Sequence, residues 1–211
     1  MASTRASNFF SAEERARIEA LVREMEERTS GEIVPMVVDQ SYDYPRAEIL
    51  GAGFFSLTAA SLLTWGFGRD SMWVLIPLFF LFYFPFKILI RNIPALKRCL
   101  ISPLEMTEEV EEKAKVSFLE QGLHHTREEN GILILLSLFE HRVFVLADRG
   151  INRAMPEQTW EEIVELVVDG IRRGRACDAL CEAIRRCGAI LERKLPAREK
   201  DTDELPNLIT E

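Results

Sequence analysis

The chain has 211 residues and a formal net charge of −8, and most of its 26 Lys and Arg residues have Glu neighbours. Nucleic-acid binding needs a clustered basic face, so this charge pattern argues against DNA or RNA as a partner. The four cysteines lack the spacing of a secreted disulfide framework, and residues 1–20 contain no apolar signal-peptide core. We therefore expect the soluble part of the chain to remain in a reducing compartment.

The first elements predicted are an amphipathic helix and a strand. Ser11 and Glu14 have the spacing of a capping box, and apolar residues recur with a helical period over residues 11–29. Glu32–Val38 then has the composition of a strand. Pro35 within it cannot donate a hydrogen bond to a neighbouring strand, so we expect this position at a sheet edge or a bulge.

Two long apolar segments follow, and they predict a pair of membrane-spanning helices. Residues 49–68 contain no charge, and residues 72–90 contain only Lys87, so each segment can cross the hydrocarbon core as a helix. The basic residues of the outer flanks outnumber Arg69, which lies alone at the tip between the segments. The flanking residues are Arg46, Lys87, Arg91, Lys97 and Arg98. The positive-inside rule therefore places both ends of this hairpin in the cytoplasm.

The alternative for two apolar segments is a pair of buried helices in a soluble core. Roughly 165 residues lie outside 49–94, too few to cover both helices. We therefore expect an integral protein of the inner or plasma membrane that has the lipid bilayer as a partner and its soluble domain in the cytoplasm. The expected divisions are a split soluble domain (8–48 and 95–195), the transmembrane hairpin (49–94) and a polar, disordered tail (196–211).

The chain after the hairpin predicts a helix, a β-hairpin and two further helices. Thr107 is placed to cap the helix, and residues 132–138 and 142–147 are apolar runs joined by a short turn. The last helix is expected around residues 175–194. Helices before and after a central sheet predict a three-layer α/β/α sandwich with the hairpin inserted after the first strand. The crossover predicts that the first two strands are parallel.

Loops from three segments are expected to meet at the sheet end opposite the membrane. Carboxylate and amide oxygens in these loops suit Ca²⁺ or Mg²⁺. The predicted metal ligands are Glu32, Glu129 and Asp148, and the wider ligand-binding set adds Thr29, Asn130 and Arg149. The alternative is that these residues are merely solvated, with Arg149 neutralising Asp148.

Four short motifs resemble, in order and spacing, those of the TPM-domain family. They read ERTSGEIVPMVV, ENGILILLSL, RVFVLADRGI and GIRRGRACDAL. The resemblance implies a bacterial TPM domain with a membrane hairpin inserted into it. It also implies an interaction module that assembles or repairs a membrane complex, with a membrane-protein partner. The alternative that it implies is a divalent-metal-dependent phosphatase. The DRGI segment departs from the family's Gly-aromatic-Gly pattern, and the missing signal peptide departs from its lumenal members.

The residues themselves indicate no catalytic constellation. CGAILER at residues 187–193 has the Cys-x5-Arg spacing of cysteine phosphatases, but it lies in a predicted helix with no loop to present backbone amides. Cys177 and Cys181 share a helix face with apolar neighbours, which favours core packing over metal binding. The histidines are expected at the surface: His124, His125 and His141. Phosphatase activity is therefore implied by the resemblance alone.

Overall fold

The elements of the protein were located in a computed structural model. It describes residues 5–67, 71–125, 130–153, 158–194 and 207–211. The helices are α1 (Ala12–Glu26), α2 (Pro45–Gly66), α3 (Met72–Asn92), α4 (Pro94–Cys99), α5 (Pro103–Glu120), α6 (Arg149–Asn152), α7 (Gln158–Arg172) and α8 (Ala176–Lys194). The strands are β1 (Glu32–Val38), β2 (Gly131–Ser137), β3 (Arg142–Ala147) and β4 (Ile209–Thr210).

These elements form two units. The first comprises Met1–Ser41 and Thr107–Glu211, and the second comprises Tyr42–Met106. The second unit therefore extends beyond the predicted hairpin of residues 49–94 at both ends.

Helix α1 begins at the predicted capping box. Ser11 Oγ accepts a hydrogen bond from Glu14 N at 3.2 Å, and the Glu14 carboxylate accepts one from Ser11 N at 2.8 Å. Two N–H groups at the helix start, which no helix carbonyl can satisfy, thereby gain partners. The sequence predicted this start correctly, and the helix ends at Glu26, three residues before the predicted end.

The sheet of the first unit has the strand order β3-β2-β1-β4. Strand β2 runs parallel to β1, and β3 runs antiparallel to β2. Both relationships confirm the predicted crossover and β-hairpin. Helices α1, α7 and α8 contribute to one apolar core with one face of the sheet. The side chains of α5 pack on the other face through Val110, Ala114 and Phe118. The predicted three-layer α/β/α sandwich is therefore confirmed.

Pro35 is buried and lies at a part of the sheet edge that β4 does not cover, which agrees with the predicted edge position. Val37 O accepts a hydrogen bond from Glu211 N at 2.9 Å, so Val37 directs its backbone groups toward β4. Pro35, two residues earlier, faces the same side, but β4 pairs with only two residues of β1 and does not reach it. The N–H of Ile33, on the same side, donates instead to the Glu26 carboxylate at 3.0 Å. This edge therefore carries a residue that needs no partner strand.

Strand β4 corrects the prediction of a disordered tail over residues 196–211. Residues 195–206 lie outside the described part of the chain, but Ile209 pairs with Met36, and Asp39 N donates to Glu211 O at 2.9 Å. Lys113 Nζ also lies 2.9 Å from the Glu211 carboxylate. Hydrogen bonds to the backbone groups along the edge of β1 thus hold residues 209–211 in place, although the segment that contains them is polar.

The second unit contains the predicted pair of apolar helices. A row of small residues at four-residue spacing is buried on α2, which contacts α3, and small residues allow close helix packing. The row consists of Ala52, Ser56, Ala60 and Thr64. In contrast, only 6% of the most apolar 18-residue stretch of α3 is buried. The tip residues 68–70 of the predicted turn lie outside the described residues.

Candidate functional site at the end of the sheet

Glu32 and Asp148 lie in one row across three strands. Glu32 is in register with Gly131, and Asp148 N donates to Gly131 O at 2.9 Å. Ile132 is paired with Ala147, so continuing this register places Asp148 opposite Gly131. Side chains in one row of a sheet point to the same face. The fold therefore brings the two predicted carboxylates to one side of the sheet, with a glycine between them.

Leu123 occupies the space above that glycine. A Cβ atom on Gly131 would lie 2.7 Å from Leu123 Cδ2 and 3.0 Å from the Leu123 carbonyl oxygen. Since neighbouring strands are about 4.8 Å apart, the Cα atoms of Glu32 and Asp148 are separated by roughly 10 Å. Sequence reasoning missed Leu123 because no local pattern indicates that a residue will cover a glycine in a distant strand.

Asp148 acts as the N-cap of the short helix α6. Its Oδ1 accepts a hydrogen bond from Arg149 N at 2.6 Å, and Asn152 N donates to the Asp148 carbonyl at 3.0 Å. The Asp148 Oδ2 atom is buried and accepts no hydrogen bond from the described residues. Arg149 contributes its backbone N–H, and its exposed guanidinium forms no ion pair with Asp148 among these residues. The alternative in which Arg149 neutralises this carboxylate is therefore not seen.

Thr29 and Asn130 are buried turn residues, each with an exposed fraction of 2%. Thr29 Oγ1 accepts a hydrogen bond from Gly31 N at 3.1 Å, within the turn before β1. Asn130 donates from Nδ2 to the Ser30 carbonyl and so connects the start of β2 to that turn. Glu129, the third predicted metal ligand, lies outside the described residues. The structure thus places Asn130 beside the row of Glu32 and Asp148.

The buried side chains at this sheet end supply some of the ligands that a hard divalent cation needs, but not a complete set. Glu32 Oε2, Asn130 Oδ1 and Asp148 Oδ2 are buried oxygen atoms, and Ca²⁺ and Mg²⁺ prefer oxygen ligands. Within the described ranges, no three His, Cys, Asp or Glu side chains form a group that could hold a metal. A cation here would therefore need backbone carbonyls, water or Glu129 beside the carboxylates of Glu32 and Asp148.

The cysteines of α8 are core residues. Cys187 is fully buried, and burial raises the pKa of its thiol to about 12. A cysteine phosphatase needs the opposite shift, because the thiolate is the nucleophile. Burial and then the neighbouring Cys181 raise the pKa of Cys177 to about 11. The CGAILER segment therefore belongs to the core of the domain and not to a phosphate loop.

Comparisons with known proteins agree on the fold. A sequence model of the TPM domain matches residues 100–190. The structure resembles the NMR structure of the BA42 protein from the psychrophilic bacterium Bizionia argentinensis, with a TM-score of 0.59 and 20% sequence identity. That match covers 96% of this chain and 94% of the other. No curated protein matches the sequence at a significant level.

Proposed function

The chain belongs to the TPM-domain family, and on this basis we propose that it is a membrane-anchored interaction module that assembles or repairs a membrane complex. The observation that carries the proposal is the exposure of large apolar side chains along α2 and α3. Leu50, Trp65 and Trp73 have exposed fractions of 71%, 77% and 87%. A contiguous apolar surface of this kind is unfavourable in water and favourable in lipid.

Two chain connections tether the TPM unit to the hairpin. The first unit is interrupted after Ser41 and resumes at Thr107, so it cannot diffuse away from a membrane that holds α2 and α3. Such tethering raises the effective concentration of the module for partners in the same membrane and lowers it for soluble partners. An integral membrane protein is therefore the partner that we propose.

The same sheet end, beside Glu32 and Asp148, also binds a divalent cation in this proposed function. The buried Asp148 Oδ2 atom, with no donor among the described residues, favours this binding. A bound cation would bridge the start of β2 at Asn130 and the start of α6 at Asp148, and the surface beside them would then bind the partner. The alternative function, a divalent-metal-dependent phosphatase, would need the same cation together with a group that activates water.

Site-directed photo-crosslinking in native membranes tests the interaction module. A photoreactive amino acid replaces Arg149, which is exposed beside the candidate site, and a matched control replaces Glu161, which is exposed on α7. We expect a crosslinked adduct with an integral membrane protein from position 149 and none from position 161. The absence of an adduct at position 149 would contradict the proposal.

Hydrolysis of p-nitrophenyl phosphate tests the phosphatase alternative. The full chain in lipid nanodiscs is assayed with Mg²⁺, with Ca²⁺ and with a chelator. Metal-dependent hydrolysis that is lost in Asp148→Asn would favour the enzyme. Rates equal to those of protein-free nanodiscs would exclude it.

A further inference from the structure

The first unit contains a cavity of about 770 Å³ at the sheet end where β2 turns into β3. This end is opposite to the candidate cation site. Its volume lies within the range of small-molecule sites, about 300–1,000 Å³. The wall is mostly apolar and comes from the N-terminal segment, the β2–β3 turn and α7. The apolar lining residues are Phe9, Leu136, Leu138, Val143, Val168 and Ile171.

The charged lining residues are all basic. Arg5, Arg142 and Arg172 line the cavity together with His141, and none of the described lining residues is acidic. This is unexpected in a chain with a formal net charge of −8. Arg5 and Arg172 form no ion pair with any described residue, so their guanidinium groups remain available to a ligand. The cavity is therefore complementary to a molecule with an apolar body and an anionic end.

A buried hydrogen-bond cluster holds the β2–β3 turn, which lines the cavity. Glu140 is 4% exposed, and its carboxylate accepts hydrogen bonds from Ser41 N, at 3.0 Å, and from the Ser137 hydroxyl. Ser41 Oγ in turn donates to Ser137 Oγ at 3.0 Å. His141 follows with a φ of +55°. Because these contacts fix the turn before any ligand enters, binding there has a lower ordering cost.

We propose that this cavity binds the ionised form of a long-chain carboxylic acid. The acyl chain lies along the apolar wall, and the carboxylate is bound by the guanidinium groups of Arg5 and Arg172. A guanidinium group matches a carboxylate with two parallel hydrogen bonds, and the apolar wall keeps the acyl chain out of water. The site is independent of the cation site and of the proposed interaction partner.

Photo-labelling locates the ligand without separating it from the membrane. The full chain, in nanodiscs of phosphatidylcholine, is irradiated with a diazirine-bearing palmitic acid, and the labelled peptides are identified by mass spectrometry. We expect labels on residues 136–143 and 168–172 in addition to α2 and α3. Unlabelled palmitic acid in excess should compete with the probe and reduce labelling of these residues.

Two variants and three further probes test the assignment of the ligand. The double variant Arg5→Glu, Arg172→Glu should reduce cavity labelling at least tenfold while labelling of α2 and α3 is unchanged. Val168→Trp, which fills the cavity, should do the same with the charges intact. Labels confined to α2 and α3, or equal cavity labelling by the matching fatty alcohol, would overturn the proposal. Cavity labelling by a lysophospholipid or a hydrophobic peptide probe, without labelling by the fatty acid, would also overturn it.

Discussion

Lys97 forms a buried ion pair with Glu48 within the second unit, which contains α2 and α3. Lys97 Nζ lies 2.8 Å from Glu48 Oε1, and the two side chains are only 8% and 14% exposed. The same ammonium group donates to the Asp43 carbonyl at 2.6 Å. Lys97 lies on α4 and Glu48 in the first turn of α2, so this contact connects the chain entering the hairpin to the chain leaving it.

Lys97→Met should destabilise the second unit by about 3 kcal/mol or more, because it leaves the Glu48 carboxylate buried without its cation. The double variant Lys97→Met, Glu48→Leu should recover most of that loss, since it removes both charges.

Thermal unfolding in a non-ionic detergent measures the effects of the single and the double variant. The matched control is Lys115→Met, which removes an exposed pair with Glu111 and should change stability by less than about 1 kcal/mol. Equal losses in Lys97→Met and Lys115→Met would contradict the expectation.

This ion pair also bears on the orientation of the hairpin. Lys97, one of the basic flanking residues, is compensated by Glu48, but the other flanking residues still outnumber Arg69 at the tip. They are Arg46, Lys87, Arg91 and Arg98. Both ends of the hairpin are therefore still expected in the cytoplasm.

Labelling of one introduced, exposed cysteine tests this orientation. In a Cys99→Ser background, an impermeant maleimide applied to intact cells should label Ser71→Cys at the start of α3 but not Glu27→Cys in the first unit. Both positions are exposed, and the other three cysteines are buried. Labelling of Glu27→Cys alone would reverse the topology.

The sequence predicted features that follow from local patterns and from the general rule for crossovers, and it missed particular tertiary contacts. The capping box at Ser11 and the bounds of β1 follow from neighbouring residues, and the structure has both. Strand β4 forms because the edge of β1 accepts it, which the polar tail does not reveal. Glu140 likewise resembles an exposed turn residue until the fold brings Ser41 to it. Tertiary contacts decided these positions.

Gly131 should not tolerate a side chain, because Leu123 occupies the space above it. In Gly131→Ala the new Cβ would lie 2.7 Å from Leu123 Cδ2 and 3.0 Å from its carbonyl oxygen, and the backbone atom cannot rotate away. We expect a loss of about 1–3 kcal/mol in the free energy of unfolding. Gly53→Ala is the control, since its Cβ would meet nothing within 4 Å and alanine favours a helix. An unchanged stability of Gly131→Ala would show that Leu123 moves freely.

The raised pKa of Cys187 predicts a loss of stability in alkaline solution. The unfolded thiol releases its proton near pH 9.0, whereas burial holds the proton in the folded state up to about pH 12. The stabilisation that comes from keeping the Cys187 thiol protonated is therefore complete below pH 9. It falls as the pH rises between these values, by at most about 1.4 kcal/mol per pH unit.

Denaturant unfolding of the wild type and of Cys187→Ala should give free energies of unfolding that approach each other from pH 9 to 11. In the control, exposed Cys99→Ala, the difference from wild type should stay constant. Parallel curves for Cys187→Ala would contradict the pKa shift.

Asp148→Asn separates the charge of Asp148 from its role as a helix cap. Asparagine caps helices about as well as aspartate, so the hydrogen bond from Arg149 N to the side-chain oxygen should persist while the negative charge is lost. If a cation binds at this sheet end, Ca²⁺ at a hundredfold excess over its dissociation constant should stabilise the wild type by about 2.7 kcal/mol and leave the stability of Asp148→Asn unchanged.

Thermal unfolding of the full chain in non-ionic detergent measures this effect, with Ca²⁺, with Mg²⁺ or with a chelator. The control is Asp169→Asn on α7, which should still be stabilised by the cation. Identical melting temperatures of the wild type in all three conditions would remove the cation site and leave Asp148 as the cap of α6, because a ligand that binds only the folded state must raise its melting temperature.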